Sequence, residues 1–245
     1  MVNSSSSTSL QVRTQVRECR RCSLAAGCRG PVAWDGDVPC DLCVVGEAPG
    51  REEDKTGRPF VGPSGSLARS WVVPRFGPCP YLNVVSCFPN RTPTGNEVEA
   101  CRINLFAQLR VIEPKFILVF GGIAVSVWTD HRIGEVRGRW FKAPVEGLAW
   151  TPWAMATWHP AAVLRNRALQ IEVLDDLRTF RESVGSDGIP PYVYQPCIKC
   201  GSVVGTHVTE QGIAWCAKHW AWKIGTAGRG RSQKKANKAK PSRLF

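Results

Sequence analysis

Asp41-Leu-Cys-Val-Val-Gly46-Glu-Ala-Pro-Gly50 is the run from which the architecture can be built outward. A short apolar, partly β-branched segment stops at a glycine and passes into a Gly/Pro-rich loop, the pattern of a buried parallel strand with a turn at its carboxyl end. Three further runs of this kind lie at residues 81–86, 115–121 and 153–158. Helix-like stretches separate or follow them at 64–73, 96–111, 122–128 and 167–184. The stretch at 96–111 opens at Asn96 with an acid three residues on, a capping-box variant. The last carries an apolar face at Leu169, Ile171, Val173, Leu174 and Leu177. Strands alternating with helices predict an α/β fold, a four-stranded parallel sheet flanked by helices. Ligands of such sheets bind beyond the carboxyl ends of the strands. The unusual residues sit there: Glu47 to Gly50, Cys87 to Asn90, and His159.

The chain has 245 residues, 43% of them apolar, enough for one substantial domain and an appendage. No apolar stretch reaches the length of a membrane helix, and the Ser/Thr-rich start from Met1 to Leu10 lacks the apolar centre of a signal peptide. A cytoplasmic location and no membrane partner are therefore expected. Lys and Arg number 32 against 20 acids, a net charge of +12, and a basic surface gathers polyanions. With ten Trp available for stacking on bases, nucleic acid is the expected partner. No acid follows Glu210, whereas Lys218, Lys223, Arg229, Arg231, Lys234, Lys235, Lys238, Lys240 and Arg243 do, which reads as a polyanion-binding tail. The linker Gly185-Ser-Asp-Gly-Ile-Pro-Pro191 marks a boundary. The expected organisation is a disordered N-terminus (1–14), a main domain (15–187), a Cys/His module (188–222) and a disordered basic tail (223–245), acting as a monomer.

Eleven cysteines without an export signal point to metal rather than to disulfides. Cys19 with Cys22, Cys40 with Cys43, and Cys197 with Cys200 form C-x2-C pairs, while Cys28, Cys79, Cys87, Cys101 and Cys216 are scattered. Cys43 falls inside the first strand and reads as a small core hydrophobe. Cys197-x2-Cys200 followed by Cys216-x2-His219 has the spacing of a structural zinc site. Gly201 and Gly205 permit its knuckle turns, and His207 is an alternative fourth ligand.

Four motifs occur in order, each at a strand end: Gly46-Glu-Ala-Pro-Gly50, then Glu53-Asp54 with Gly57-Arg-Pro-Phe-Val-Gly62, then Asn83-Val-Val, then Trp158-His159-Pro160. Together they resemble the family 4 uracil-DNA glycosylases, from about Glu18 to Phe180. The resemblance implies the uracil-DNA glycosylase fold and removal of uracil from single- or double-stranded DNA, leaving an abasic site. It implies that Phe60 floors the pocket of the flipped base, that Asn83 reads the base's O4/N3 edge, and that His159 stabilises the departing anion at O2. The backbone of the loop Glu47, Ala48, Pro49 and Gly50 would approach the base closely. Glu47 could position water, contact base or sugar, or brace the loop. Family 1 members carry an Asp for water activation where this chain has Ala48. No Lys lies in any motif, which disfavours a Schiff base. The segment Ser86-Cys-Phe-Pro-Asn-Arg91 lacks the basic, His-containing insertion of the subfamily that traps uracil covalently. Turnover is expected.

Leu164 is the candidate wedge into the duplex and Arg165 a phosphate contact, although the segment reads equally as the approach to a helix. Ser64 and Gly65 could bind phosphate at a helix N-terminus. By the resemblance, Cys19, Cys22, Cys87 and Cys101 hold a 4Fe–4S cluster of structural function, with zinc on the same four as the alternative. From the residues alone, Phe60 also reads as a core aromatic, Asn83 as a turn or edge residue, and His159 as a loop histidine satisfied by backbone. Three rival functions remain open at this level: a glycosylase for another modified base, an inactive DNA-binding relative, and a redox iron–sulfur protein.

Overall fold

The computed structural model describes residues 4–184, 206–208 and 214–216. The chain divides into two units, Met1–Val193 and Tyr194–Phe245. In the first, the strands are β1 (Leu42–Gly46), β2 (Tyr81–Asn83), β3 (Phe116–Phe120), β4 (Trp140–Lys142) and β5 (Trp153–Thr157). They form one sheet in the order β2-β1-β3-β5-β4. Pairing is parallel across β2, β1, β3 and β5, and antiparallel where β4 joins β5.

Nine helices accompany the sheet among the described residues: α1 (Ser4–Arg17), α2 (Leu24–Gly27), α3 (Arg51–Thr56), α4 (Pro63–Phe76), α5 (Gly95–Ile112), α6 (Gly122–Val125), α7 (Ile133–Val136), α8 (Pro160–Arg165) and α9 (Leu169–Val184). Side chains alternate across the pleat. Cys43, Val45, Ile117, Val119, Ala154 and Ala156 pack on one face with Leu105, Leu109 and Ile112 of α5. Leu42, Val44, Phe116, Leu118, Phe120 and Met155 pack on the other with Trp71 of α4, Val163 of α8 and Phe180 of α9. With both faces covered, β1 and β3 are buried at every position, so their sequences are continuous apolar runs. The register pairs Gly46 with Asn83 and Phe120 with Thr157, so the strand ends bearing the motifs line up at one edge of the sheet.

The structure corrects four expectations. The sheet gains an antiparallel edge strand, β4, which buries Trp140 and leaves Phe141 and Lys142 half-covered, too short a pattern to read alone. The strand expected over 81–86 ends at Asn83. The cap of α5 is Thr94, not Asn96: Glu97 N–H donates to Thr94 Oγ1 (3.3 Å) and Thr94 N–H to Glu97 Oε2 (2.8 Å). The stretch expected to be disordered to residue 14 is helical in α1. Val16 is buried against the core there, and the Arg13 guanidinium lies 3.9 Å from the Trp34 ring centroid while donating to the Trp34 carbonyl (2.7 Å).

In the second unit, two strands, Thr206–Val208 and Ala214–Cys216, pair antiparallel with Thr206 opposite Cys216. Cys197, Cys200 and His219 lie outside the described residues, as do the expected tail and the side chains of Cys216 and His207.

Candidate active site

Phe60 heads the construction because its backbone is unusual. It adopts a left-handed φ of 57°, rare for an aromatic residue, and is 5% exposed. Several groups hold it. Arg69 on α4 donates Nε to the Phe60 carbonyl (3.0 Å) and a terminal nitrogen to the Pro59 carbonyl (3.2 Å). The same guanidinium binds Asp35 (3.0 Å) and covers the Tyr81 ring at 4.1 Å. Buried Glu53 accepts from the N–H groups of Val61 (2.9 Å) and Gly62 (2.7 Å) through Oε1, and from Gly50 N–H (3.0 Å) through Oε2. One carboxylate thus ties the loop after β1 to the loop carrying Phe60. Sequence reading quoted Glu53 in a motif but gave it no role. Its position three residues past Gly50, where an acid reaches back to a helix start, was the available signal.

Asn83 closes β2, 5% exposed, opposite Gly46 in the register. A Cβ added to Gly46 would stand 2.6 Å from both Asn83 Oδ1 and Phe60 Cζ, so glycine is what lets floor and amide share this corner. Phe60, Asn83 and His159 line one cavity of about 190 Å³ together with Ala48, Gly50, Glu53, Ser64, Gly65, Pro160 and Ala161. Ser64, expected at a phosphate, faces this cavity.

His159 caps α8, and its Nδ1 accepts from Ala161 N–H (3.2 Å). The proton of the neutral ring therefore sits on Nε2. Burial, and then the nearby Arg165 cation, lowers its pKa to about 4, so the ring is neutral across the physiological range. Glu47 is pushed the other way: burial raises its pKa, while the Ile123 N–H and Arg165 oppose the rise. A Cβ on Gly121 would meet the Glu47 carboxylate and His159 Cβ together, which places the two side chains side by side at the end of β3. A second cleft of about 400 Å³ adjoins the first, sharing Ala48, His159 and Ala161. Glu47, Pro49, Asn90 and Arg165 line it. Leu164 is 38% exposed on α8 and lines neither.

Phe60, the Asn83 amide and a neutral imidazole bearing Nε2–H gather at one cavity, and base excision requires hydrogen-bond donors in a shaped pocket. The family model described as Uracil DNA glycosylase superfamily matches residues 34–178. The chain belongs to the uracil DNA glycosylase superfamily. A type-4 uracil-DNA glycosylase of Pyrobaculum aerophilum is 36% identical over 176 residues, covering 67% of this chain and 89% of that protein. Type-4 enzymes of Thermotoga maritima and Archaeoglobus fulgidus are 35% and 33% identical, covering 72% and 70% of this chain and 95% and 90% of their own lengths. These relatives place the chain on the type-4 branch.

None of the eight cysteines described in the main unit is in a disulfide among the described residues. Cys87 and Cys101 are buried, Cys19 and Cys22 half-buried. Burial raises the Cys87 thiol pKa well above its usual range, followed by Cys28, which is hydrogen-bonded to it, and by Cys101 and Cys22. Burial likewise pushes Cys101 up to about 11, with Cys22 and Cys19 among the nearby groups. The four expected thiols are thus neighbours, and Cys28 is a fifth that spacing alone did not bring in. Among the described residues, no three Cys, His or carboxylate groups close on a single ion. A four-iron cluster takes one thiolate per iron and does not demand such closure. Ser86 Oγ, buried next to Cys87 in sequence, has no hydrogen-bond partner among the described residues, a hydroxyl with the chemistry to donate to a cluster sulfur. The residues fit the group. Cys40 stays apart from this neighbourhood and Cys43 is in the core of β1, as a small hydrophobe would be.

Proposed function

We propose that this chain hydrolyses the N-glycosidic bond of uracil in DNA and leaves an abasic site. The observation that carries the reading is the convergence of Phe60, Asn83 and His159 on one cavity. The extruded base would lie on the Phe60 ring, its edge met by the Asn83 amide. As the bond between C1′ and N1 breaks, the electron pair moves onto the base, and His159 Nε2–H donates to the growing charge at O2. A neutral donor does this without first binding a proton, and a preorganised donor of this kind contributes roughly 3 kcal/mol. Water attacks C1′ from the side of the larger cleft, and the Glu47 carboxylate beside His159 supports the cationic sugar and takes the water's proton. Incubation with uracil-containing oligonucleotide followed by alkali tests the reading; an intact strand would sink it.

The two shifted groups predict the pH profile. His159, with its pKa lowered to about 4, stays neutral from about pH 8 to about pH 5 and gives the profile no limb there. Glu47, raised, becomes neutral at higher pH than an ordinary carboxyl, so the rate falls with falling pH as this carboxylate is lost. Single-turnover rates of Glu47→Gln should be low and flat over the same range. A surviving acid limb would assign the titration elsewhere.

Cys19, Cys22, Cys87 and Cys101 would hold a 4Fe–4S cluster that supplies a covalent clamp rather than electrons, since base excision moves none. It would tie the N-terminal segment to the loop after β2. Cys197, Cys200, Cys216 and His219 would hold one structural zinc ion, and with the basic tail would form an accessory grip on DNA. Leu164 would wedge the duplex, with Arg165 on a phosphate. Removing residues from Tyr192 onward should weaken DNA binding and flatten its dependence on salt. Equal affinity at low and high salt would count against the grip. No described helix is long and apolar enough to cross a membrane. Action as a monomer belongs to the same proposal, and eleven cysteines suit a reducing cytoplasm.

A further inference from the structure

The larger cleft has about twice the volume of the base cavity, 400 Å³ against 190 Å³, and the one water that excision would draw from this side fills only a small part of it. His159 stands at the end shared with the smaller cavity, with Glu47 beside it in the larger cleft. The remainder is walled by apolar Phe88, Pro89 and Pro93 and polar Asn90, Arg91 and Thr92 from the loop after β2, and by Ile133, Trp158 and Ala162. The apolar and aromatic part of this wall suits the face of a nucleobase, and its cations suit the phosphates that flank one. Arg165 supplies a cation at the same cleft.

Trp158 is held as a platform rather than left as a rotor. Its indole N–H donates to Glu172 Oε2 (2.9 Å), and Arg137 pairs with that carboxylate at 3.2 Å. Arg137 also bonds Asp176 at 2.9 and 3.2 Å, and Asp176, 4% exposed, accepts from Thr157 Oγ1 at 2.6 Å. This chain of charged bonds fixes the end of β5 and the Trp158 ring to α9.

We infer that the larger cleft is a second nucleotide subsite, in which the base flanking the extruded uracil leaves its own stack and lies against Trp158. The inference rests on the glycosylase reading and adds a second recognised nucleotide to it. It means that the substrate is read as two adjacent bases on one strand, which favours a strand free to splay.

The test uses the full-length protein and three oligonucleotides: one with normal bases on both sides of the uracil, and two in which the 5′ or the 3′ neighbour is a tetrahydrofuran residue without a base. Base–aromatic stacking predicts that one of the two removals lowers kcat/KM about tenfold, chiefly through KM, and the other does not. In Trp158→Ala that ratio should collapse towards one, and in Trp158→Phe, which keeps a ring, most of it should persist. Because each ratio is taken within one protein, lower overall activity of a variant leaves it readable. Equal rates on all three oligonucleotides with the wild type, or the same ratio in Trp158→Ala, would overturn the subsite. No excision even of the fully based strand would instead overturn the glycosylase reading.

Discussion

Replacing His159 by alanine is expected to slow uracil release about 10²- to 10³-fold while affinity for uracil-containing DNA stays within a few-fold. The size follows from what is removed. With Nδ1 already accepting from Ala161 N–H, Nε2 is left as a donor aimed by the backbone, and burial keeps the ring uncharged. Such a donor meets charge that exists only on the way to the products, so its loss appears in kcat rather than in binding. Binding to DNA draws largely on phosphate contacts, which the substitution leaves alone. His159 also caps α8, and losing a cap costs about 1 kcal/mol of stability, so the melting temperature should drop slightly. Single-turnover excision, equilibrium binding and melting separate the three effects. A rate loss below tenfold would mean that the imidazole does not face the leaving base.

Why so much of this could be read from the chain alone follows from where the motifs hang. A buried parallel strand is a continuous apolar run, so its end is visible, and Gly46, Asn83 and Thr157 all sit at such ends or one residue short of the motif. Loops that leave aligned strand ends must gather, and the aligned register made Phe60, Asn83 and His159 neighbours without any knowledge of side-chain contacts. What could not be read is of another kind. Glu53 and Arg69 act on the Phe60 loop through backbone groups eight to ten residues away, pairings that no periodicity records. Cys28 meets Cys87 only because the segment before β1 folds back against the loop after β2. Strand β4 depends on pairing with β5 and has almost no pattern of its own. The two readings of Ser64 differ for the same reason: a helix N-terminus is visible in sequence, the cavity it turns towards is not.

Gly65→Ala should lower both stability and kcat/KM, the latter about 10²-fold, although the same change inside an ordinary helix stabilises by up to about 1 kcal/mol. Gly65 is the third residue of α4, and a Cβ there would fall on the backbone of Phe60, against its Cα, carbonyl carbon and oxygen. A flexible side chain could turn aside, but this neighbour cannot. Its carbonyl is bound by Arg69 Nε at 3.0 Å, and the two N–H groups after it are bound by Glu53 at 2.9 and 2.7 Å. Yielding to the methyl group means breaking some of these bonds at a cost of roughly 1–3 kcal/mol and moving the ring on which the base lies. Gly95→Ala supplies the contrast, because an added Cβ at the start of α5 meets nothing within 4 Å among the described residues. That variant should keep its rate and melt no lower than wild type. Should Gly65→Ala behave like Gly95→Ala in both measurements, Phe60 is not clamped against α4, and the rigid aromatic floor on which base capture depends would have to be given up.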